Sequence, residues 1–328
     1  MKERLNYIDW LKGIAIIAVV MGHVIQYDFM SLNIAESSFL DRFIYSIHMP
    51  LFIFLSGLVL NYKFESISIC CKKIILKSRI LLIPAFLIGY AYTLWRGYTF
   101  HGFLTNTMKY GYWYLFTLFE FYIMYYAIFS YSISKSIYED LIKGWVIWVC
   151  LKGIAHLNLN ADFLGVIQLM QMILYWPFFF TAALINKYNL QEKLFSNNNI
   201  FSFSLLIFGS LFIYKEYPTI DNLMMYPLQF AAIFSIMYLI YKIKDKNNTV
   251  LNKLAYIGKN SLDIYIFHYF FIHVSYMKIM GNYFLEYPNF IIETIVTFCY
   301  SIVIVYCAIY TGKLLRESKI ISKILFNK

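Results

Sequence analysis

The chain has 328 residues, of which 61% are hydrophobic, 21% aromatic and only 14% charged. Soluble globular domains carry about a quarter of their residues as charged side chains, so this composition argues against a soluble protein. The net charge of +10 and the five cysteines need separate explanations, because basic proteins often bind nucleic acid and cysteines often bind metal.

Apolar windows of about 20 residues, the length that crosses a hydrocarbon core of about 30 Å, recur along the whole chain. They predict an all-α fold, a polytopic transmembrane helix bundle of about ten spans, in which residues 1–328 form a single membrane domain. The fifth window carries Lys143 and Lys152 and the seventh is short, so nine and eleven spans are the alternatives. The predicted spans are 10–29, 43–61, 80–96, 112–131, 141–157, 166–186, 200–214, 222–241, 262–280 and 290–312.

The distribution of the lysine and arginine residues predicts the orientation. With the N-terminus in the cytoplasm, 21 of the 28 lie on the cytoplasmic side and 6 on the other side, while Lys12 falls inside the first span. Cytoplasmic loops of membrane proteins carry this excess of basic residues. We therefore expect both termini in the cytoplasm of a multi-pass protein of the cell membrane, with lipids as partners and no nucleic acid.

The cysteines give no metal site. Cys150, Cys299 and Cys307 lie in apolar runs, where a thiol is usually a small packing group, and Cys70 and Cys71 are adjacent. No pair of cysteines and histidines has the spacing of metal ligands, so we expect no metal.

The first span carries two ionisable side chains on one face. Lys12 and His23 are 11 residues apart, which is close to three full turns of an α-helix with a rise of about 16 Å. Ionisable groups are costly inside a membrane and mark functional sites. We predict a cation near the cytoplasmic surface and an imidazole deeper in the bilayer. The alternative for Lys12 is that it reaches the interface beside Asp9.

Two further ionisable groups are predicted at the depth of His23. His48 lies near the start of the second span and Glu120 in the fourth, and a rise of about 1.5 Å per residue places all three about two thirds of the way out. This common depth predicts a polar chamber with His23, His48 and Glu120 as candidate catalytic residues. The alternatives are that His48 caps a helix before Pro50 and that Glu120 is only the structural partner of a histidine.

Basic residues gather at the cytoplasmic mouth of the third span. Lys77 and Arg79 follow Lys72 and Lys73 there, and the four together suit a phosphorylated ligand. Arginine offers phosphate two parallel hydrogen bonds, which makes Arg79 a candidate ligand-binding residue together with Lys77. The alternative is that these residues only set the membrane topology.

Segments in order from residue 4 to about residue 273 resemble the motifs of the acyltransferase 3 family of membrane acyltransferases. Each segment is short, but their common order makes the resemblance specific. The segments are Tyr7–Ala15 with Val19–His23, His48–Gly57, Arg79–Pro84, Trp113–Leu115, and Gly258–Leu262 with Tyr265 and His268.

The resemblance implies a ten-span fold that transfers an acyl group, usually acetyl from acetyl-coenzyme A, to a hydroxyl of an extracytoplasmic or lipid-linked glycan. It implies that His23 is the essential histidine. The nucleotide of acetyl-coenzyme A, the acyl donor and co-substrate, is polyanionic, so we expect it to bind at the basic cytoplasmic mouth, with Lys12, Lys77 and Arg79 as candidate binding residues. The family has arginine where this chain has Lys12, so the charge is kept but the two-pronged hydrogen-bond donor is lost.

For such an O-acetyltransferase, the chemistry assigns a role to each candidate. The imidazole of His23 takes the proton from a sugar hydroxyl as that hydroxyl attacks the thioester carbonyl. His48 or a tyrosine hydroxyl steadies the oxyanion, and Glu120 orients a histidine.

Two other functions fit the same residues. A proton-coupled transporter or glycan flippase would use the histidines as a proton relay, and a non-catalytic scaffold would use only the fold. The single cationic mouth favours the enzyme, because a relay across the bilayer usually contains several carboxylates. The acceptor sugar, the acylated position, acetyl against longer acyl groups, a covalent acyl-histidine against direct transfer, and the oligomeric state all stay open.

Overall fold

The computed structural model describes residues 6–29, 38–60, 67–128, 136–157, 159–214, 222–272 and 277–326. Within these ranges the chain forms α-helices with short π-helical and 3-10 turns, and it contains no β-strand. The predicted all-α, polytopic transmembrane fold is confirmed.

Six helical segments in the described ranges are long and apolar enough to cross a membrane. A seventh apolar helix, Asn198–Ile213, is shorter. A total of about ten spans is consistent with these helices and stays a prediction. The six segments are Asn6–Phe29, Phe39–Leu58, Ser68–Trp95, Ala161–Lys187, Met224–Lys242 and Phe290–Glu317.

The helices of the N-terminal part of the chain follow one another with short connections. A π-helical turn, Val24–Phe29, directly continues the first helix, and a 3-10 turn, Lys109–Gly111, precedes the sixth. These helices are α1 (Asn6–His23), α2 (Phe39–Tyr45), α3 (His48–Leu58), α4 (Ile67–Trp95), α5 (Phe100–Thr105), α6 (Trp113–Ile128), α7 (Ile137–Ala155), α8 (Ala161–Val166) and α9 (Leu169–Lys187).

The C-terminal part alternates long apolar helices with short ones. A 3-10 turn, His268–Phe270, follows the fifth helix of this part. The helices are α10 (Gln191–Phe195), α11 (Asn198–Tyr214), α12 (Asn222–Lys242), α13 (Thr249–Lys259), α14 (Ser261–Phe267), α15 (Lys278–Glu286), α16 (Phe290–Glu317) and α17 (Lys319–Leu325).

The third and the ninth predicted spans are among those that differ from the helices that form there. Helix α4 begins at Ile67, well before the predicted start of the third span, so the basic residues around Lys77 lie on the helix and not in a loop. Its 29 residues extend over about 43 Å, which exceeds the hydrocarbon thickness of about 30 Å. The described residues of the predicted span 262–280 do not form one helix, because the backbone tightens into a 3-10 turn at His268, where the Phe271 amide donates to the His268 carbonyl.

The chain divides into two compact units. The first unit contains the described residues of Met1–Leu55 and Leu190–Gly312, and the second contains those of Ser56–Asn189 and Lys313–Lys328.

In the first unit, α1 is buried along most of its length and packs along α13. The contact is close at Gly258, where an added Cβ would meet the carbonyl oxygen of Asp9. Helix α11 packs against α12, and α15 packs against the π-helical turn that follows α1. The end of α1 is therefore surrounded by elements that are distant in sequence.

In the second unit, α4 packs against α6, and α7 packs against α9. The indole of Trp176 on α9 donates a hydrogen bond of 3.1 Å to the Gly144 carbonyl on α7. The short C-terminal helix α17 packs on α4. Aromatic rings fill this core, among them Phe121, Trp176 and Phe179.

Candidate functional site

His23 is the last residue of α1, at the point where the backbone widens into the π-helical turn. The side chain is half-buried, and its Nε2 lies 3.0 Å from the hydroxyl of Tyr269. The imidazole stacks on His268 at 5.3 Å and on Tyr27 at 5.5 Å between ring centroids. Single π-helical turns inside α-helices are frequent at functional sites. The structure therefore surrounds His23 with polar aromatic side chains from the same unit.

The other two histidines near His23 are fixed by the backbone. His48, the first residue of α3, donates from Nδ1 to the Ile44 carbonyl at 2.8 Å, and His268 donates from Nδ1 to the Ile264 carbonyl at 2.9 Å. A carbonyl oxygen only accepts hydrogen bonds, so both neutral rings carry their proton on Nδ1 and keep Nε2 as an acceptor.

His23 differs from them. Among the described residues, its buried Nδ1 has no hydrogen-bond partner, and its ring is held through Nε2 by a side chain. His48 lies close enough to interact electrostatically with it, as does His268. His23 is thus the histidine whose protonated nitrogen the backbone does not determine, which suits a residue that exchanges a proton.

Lys12 lies on the same continuous helix as His23. Both side chains are half-buried, while most of the other residues of α1 are buried. The structure therefore retains the predicted spacing of about 16 Å along one helix face. The ligand-binding role of Lys12 stays a prediction.

Glu120 lies on α6, in the second unit, where Lys109 is near enough to interact with it electrostatically. In the described part of the chain, the buried Oε2 of Glu120 has no hydrogen-bond partner. His23 and His48 belong to the first unit, so the predicted common depth of the three residues stays a prediction.

Lys109 lies between the third and fourth predicted spans, where an outer loop is expected. The structure instead buries it, with 1% of its surface exposed. Its Nζ donates to the Leu104 carbonyl and, at 2.9 Å, to the Gly165 carbonyl. Burial lowers the pKa of Lys109 to about 8, and the nearby Glu120 opposes this shift. Lys109 and Tyr110 both have left-handed backbone conformations, which are strained for residues with a side chain.

Lys77 and Arg79 do not share a face of α4. Lys77 is half-buried, with its ammonium 4.2 Å from the ring centroid of Tyr122, whereas Arg79 is exposed. Two residues span about 200° of an α-helix, which separates the two side chains. Lys73, one turn before Lys77, lies over Tyr126 at 5.8 Å and shares the Lys77 face.

No group of three or more histidine, cysteine, aspartate or glutamate side chains within the described ranges could hold a metal ion.

Comparison with known families gives a match over residues 5–311 to acyltransferase 3, described as an acyltransferase domain. The chain belongs to the acyltransferase 3 family. The family assignment, together with the apolar helices, makes the chain a multi-pass membrane protein and an acyltransferase. The comparisons with curated proteins and with solved structures gave no significant match.

Tyr269 and Lys109 were not singled out from the sequence. Tyr269 follows His268 in an aromatic run that reads as interface packing, and only the fold brings it 3.0 Å from a residue 246 positions earlier. The available signal was the polar hydroxyl next to a histidine inside a span. For Lys109, the signal was a lone cation between two aromatic segments of the outer loop.

Proposed function

We propose that this acyltransferase moves an acetyl group from acetyl-coenzyme A on the cytoplasmic side to a hydroxyl of a cell-surface or lipid-linked glycan. The observation that carries the proposal is the placement of His23, which is half-buried at the end of α1 and hydrogen-bonded to Tyr269. Lys12 lies about 16 Å away along the same helix. One helix thus offers a cation for the donor and an imidazole for the acceptor.

In this proposal, Lys12, Lys77 and Arg79 attract the phosphates of coenzyme A. The half-buried Lys77 and the exposed Arg79 face different directions, which supports Lys77 as a neighbour of the bound nucleotide and Arg79 as an attractor of its charge. Charged residues at the mouth of a site raise the local concentration of an oppositely charged ligand.

His23 acts as the general base. Its imidazole takes the proton from the acceptor hydroxyl as the hydroxyl oxygen attacks the thioester carbonyl. The carbon–sulfur bond then breaks, the proton passes to the departing sulfur, and the products are a sugar ester and free coenzyme A. The proposal is a direct transfer without a metal.

The oxyanion needs a hydrogen-bond donor. The neutral ring of His48 donates from Nδ1 to Ile44, so its Nε2 has no proton to offer. In the tautomer in which His23 Nε2 carries the proton and donates it to the Tyr269 oxygen, the Tyr269 hydroxyl proton can be donated to the oxyanion and Nδ1 of His23 is the base. Tyr269 is therefore the better donor, and His48 contributes only to the shape of the site. Glu120 is retained as a candidate for orienting the reacting groups, with Lys109 as its electrostatic neighbour.

The test uses the full chain in lipid nanodiscs with acetyl-coenzyme A and surface glycans as acceptors. Free thiol should appear only when an acceptor is present, and His23→Ala should abolish it. His101→Ala is the matched control, because His101 is exposed and pairs with Asp162 at 3.5 Å. Unchanged thiol release in His23→Ala would overturn the catalytic role. Glycan transport without thiol release would favour the transporter.

A second measurement tests the donor site. Lys12→Ala should raise the KM for acetyl-coenzyme A more than the KM for the acceptor. Lys152→Ala is the control, because its ammonium lies 3.8 Å from the ring centroid of Trp148. An unaltered KM for acetyl-coenzyme A in Lys12→Ala would show that Lys12 does not bind the donor and has only a structural role.

The proposed orientation places both termini in the cytoplasm. Cys71 is exposed on the N-terminal half of α4, on the predicted cytoplasmic side. A variant that keeps only this cysteine should resist a membrane-impermeant thiol reagent on intact cells and react after permeabilisation. Labelling of Cys71 in intact cells would show that this half of α4 faces the outside and would contradict the proposed orientation.

A further inference from the structure

The backbone around His23 places a second aromatic side chain beside it on the accessible side. In the stretch from Met21 to Phe29, which covers the end of α1 and the π-helical turn, His23 and Tyr27 are half-buried, whereas the other residues are buried. The rings of His23 and Tyr27 are nearly parallel, with centroids 5.5 Å apart and an angle of 30° between their planes. A substrate that approaches His23 from this side therefore meets Tyr27 as well.

Two further rings of the first unit contact the imidazole of His23. His268 stacks on it with centroids 5.3 Å apart, and the Tyr269 ring lies at 4.9 Å, with its hydroxyl bonded to Nε2. His268 and Tyr269 are buried, and their own rings are 4.2 Å apart. The Tyr27 ring lies 6.3 Å from that of Tyr269. Tyr27, His268 and Tyr269 thus surround the imidazole with rings that also contact one another, and we call them the aromatic cage.

The spacing of the aromatic cage leaves no room for an acyl chain between its rings and the imidazole. Carbon atoms in contact lie about 3.5–4.0 Å apart, so a methylene group inserted between two rings needs a separation of about 7–8 Å. The three centroid distances from the imidazole are only 4.9, 5.3 and 5.5 Å. An acyl group next to His23 is therefore confined to the part of the imidazole edge that the cage does not cover.

The backbone next to His23 is also closely packed. A Cβ added to Gly22 would lie 3.0 Å from the Tyr45 ring and 3.3 Å from the Ile44 side chain. The Tyr45 ring in turn packs edge-on against His48, with centroids 4.5 Å apart. Closely packed protein interiors yield little to an added group. Tyr27, which is half-buried, is therefore the cage ring that borders the accessible side.

We propose that Tyr27 is a specificity-determining residue, whose ring completes the aromatic cage and limits the transferred acyl group to the length of acetyl. The inference rests on the proposed function, which brings the acyl group to His23, and it adds the residue that sets the chain length. Acetyl carries only a methyl group beyond its carbonyl carbon. A longer chain would have to displace rings that are already in contact, and overpacking of a filled site is unfavourable.

The experiment measures donor binding, so it requires neither an acceptor nor turnover. Thioethers of coenzyme A with ethyl, butyl and hexyl chains cannot transfer their chains, and each competes with radiolabelled acetyl-coenzyme A for the full chain in nanodiscs. The butyl and hexyl compounds should bind the native protein at least about tenfold more weakly than the ethyl compound. In Tyr27→Ala, the space that the ring vacates should reduce this difference to about twofold or less.

Tyr27→Phe is the matched control, because it keeps the ring and removes only the hydroxyl, and it should retain the native preference for the ethyl compound. Tyr283→Ala is the second control and should also retain it, because Tyr283 is exposed and its ring lies 5.3 Å from that of Tyr287. If Tyr27→Ala does not fold, Tyr27→Leu replaces it. Leucine is smaller than tyrosine, so the butyl compound should then bind within about threefold of the ethyl compound.

Three results would overturn the inference and leave the use of a coenzyme A donor intact: equal binding of all three compounds to the native protein, a length preference that survives in the alanine or leucine variant, or a preference that is lost in Tyr27→Phe. Binding of none of the compounds would refute both the inference and the donor of the proposed function. A length preference that depends on the Tyr27 ring, in a protein that transfers no acetyl to any glycan, would support the inference and refute the proposed function.

Discussion

In the first unit, the imidazole of His23 is held by the Tyr269 side chain, and the buried Nδ1 of His23 has no partner among the described residues. In the second unit, the buried Asp140 accepts hydrogen bonds from Lys187 and Tyr188, and Lys109 donates to two carbonyls. Both units also leave buried polar atoms without a partner among the described residues, for example Glu120 Oε2 and Asp140 Oδ1 in the second. The units differ in what holds the buried side chains: a tyrosine hydroxyl holds an imidazole in the first, whereas an ion pair and backbone carbonyls hold lysine ammonium groups in the second. Removing one partner of a buried ion pair leaves the other charge uncompensated, so the second unit should be the more sensitive to the loss of a polar group.

The largest expected effect is on stability in the second unit. Asp140→Ala should lower the free energy of unfolding by about 3 kcal/mol or more, because it leaves the Lys187 ammonium without its buried partner. Thermal unfolding in detergent measures the change. Glu139→Ala is the control and should cost about 0.5 kcal/mol, since Glu139 forms an exposed pair with Lys143 at 3.1 Å. Equal effects of the two variants would contradict the assignment of Asp140 as a fastening group.

The next effect concerns the packing that positions α1 in the first unit. Gly258→Ala should destabilise the protein by about 1–3 kcal/mol, because the new methyl group would meet the Asp9 carbonyl and the backbone nitrogen of Gly13. Gly209→Ala is the control. Its added Cβ would meet nothing within 4 Å, so better helix propensity should stabilise the protein by up to about 1 kcal/mol. A neutral Gly258→Ala variant would show that α1 and α13 are less tightly packed than the structure indicates.

A pH effect should sharpen the comparison through Lys109. Its pKa is lowered to about 8 in the folded state, against an ordinary value of about 10.4. Between these values the unfolded chain binds more protons, so the contribution of Lys109 makes stability rise with pH from about 8 to about 10.4, by about 1–3 kcal/mol. Below pH 8 both states are protonated and the penalty is constant.

The measurement is the melting temperature of the native chain and of Lys109→Met across this pH range. The melting temperature of the native chain minus that of Lys109→Met should increase from about pH 8 to about pH 10.4, because the other titratable groups are present in both proteins. Parallel curves for the two proteins would show that Lys109 keeps an ordinary pKa.

The smallest expected effect is on catalysis. Tyr269→Phe removes the hydroxyl that holds His23 Nε2 and should slow acetyl transfer about tenfold, with little change in the melting temperature. The pH profile of kcat should also shift, which a merely structural tyrosine would not cause. Tyr283→Phe, at an exposed ring in the same unit, is the control. An unchanged rate of acetyl transfer and an unchanged pH profile of kcat would show that Tyr269 has no part in the site.

The sequence by itself determined that this is a helical membrane protein with His23 and Lys12 on one helix. Apolar length and helix periodicity are local properties, because each span must satisfy its own backbone hydrogen bonds in lipid. The motifs in chain order also identified the family, which the match over residues 5–311 confirms. The roles of His48, Glu120, Lys77 and Arg79 stay predictions.

The tertiary structure alone decided which side chains from distant segments meet. Tyr269 reaches His23 across 246 positions, and Tyr300 reaches Asp28 across 272. No local pattern encodes such pairs, because an aromatic residue in a span looks the same whether it faces lipid or a carboxylate. The burial of Lys109 was likewise invisible in a loop that reads as solvent-exposed. These contacts depend on how helices pack, which is set by the sum of many side-chain contacts and not by any single segment.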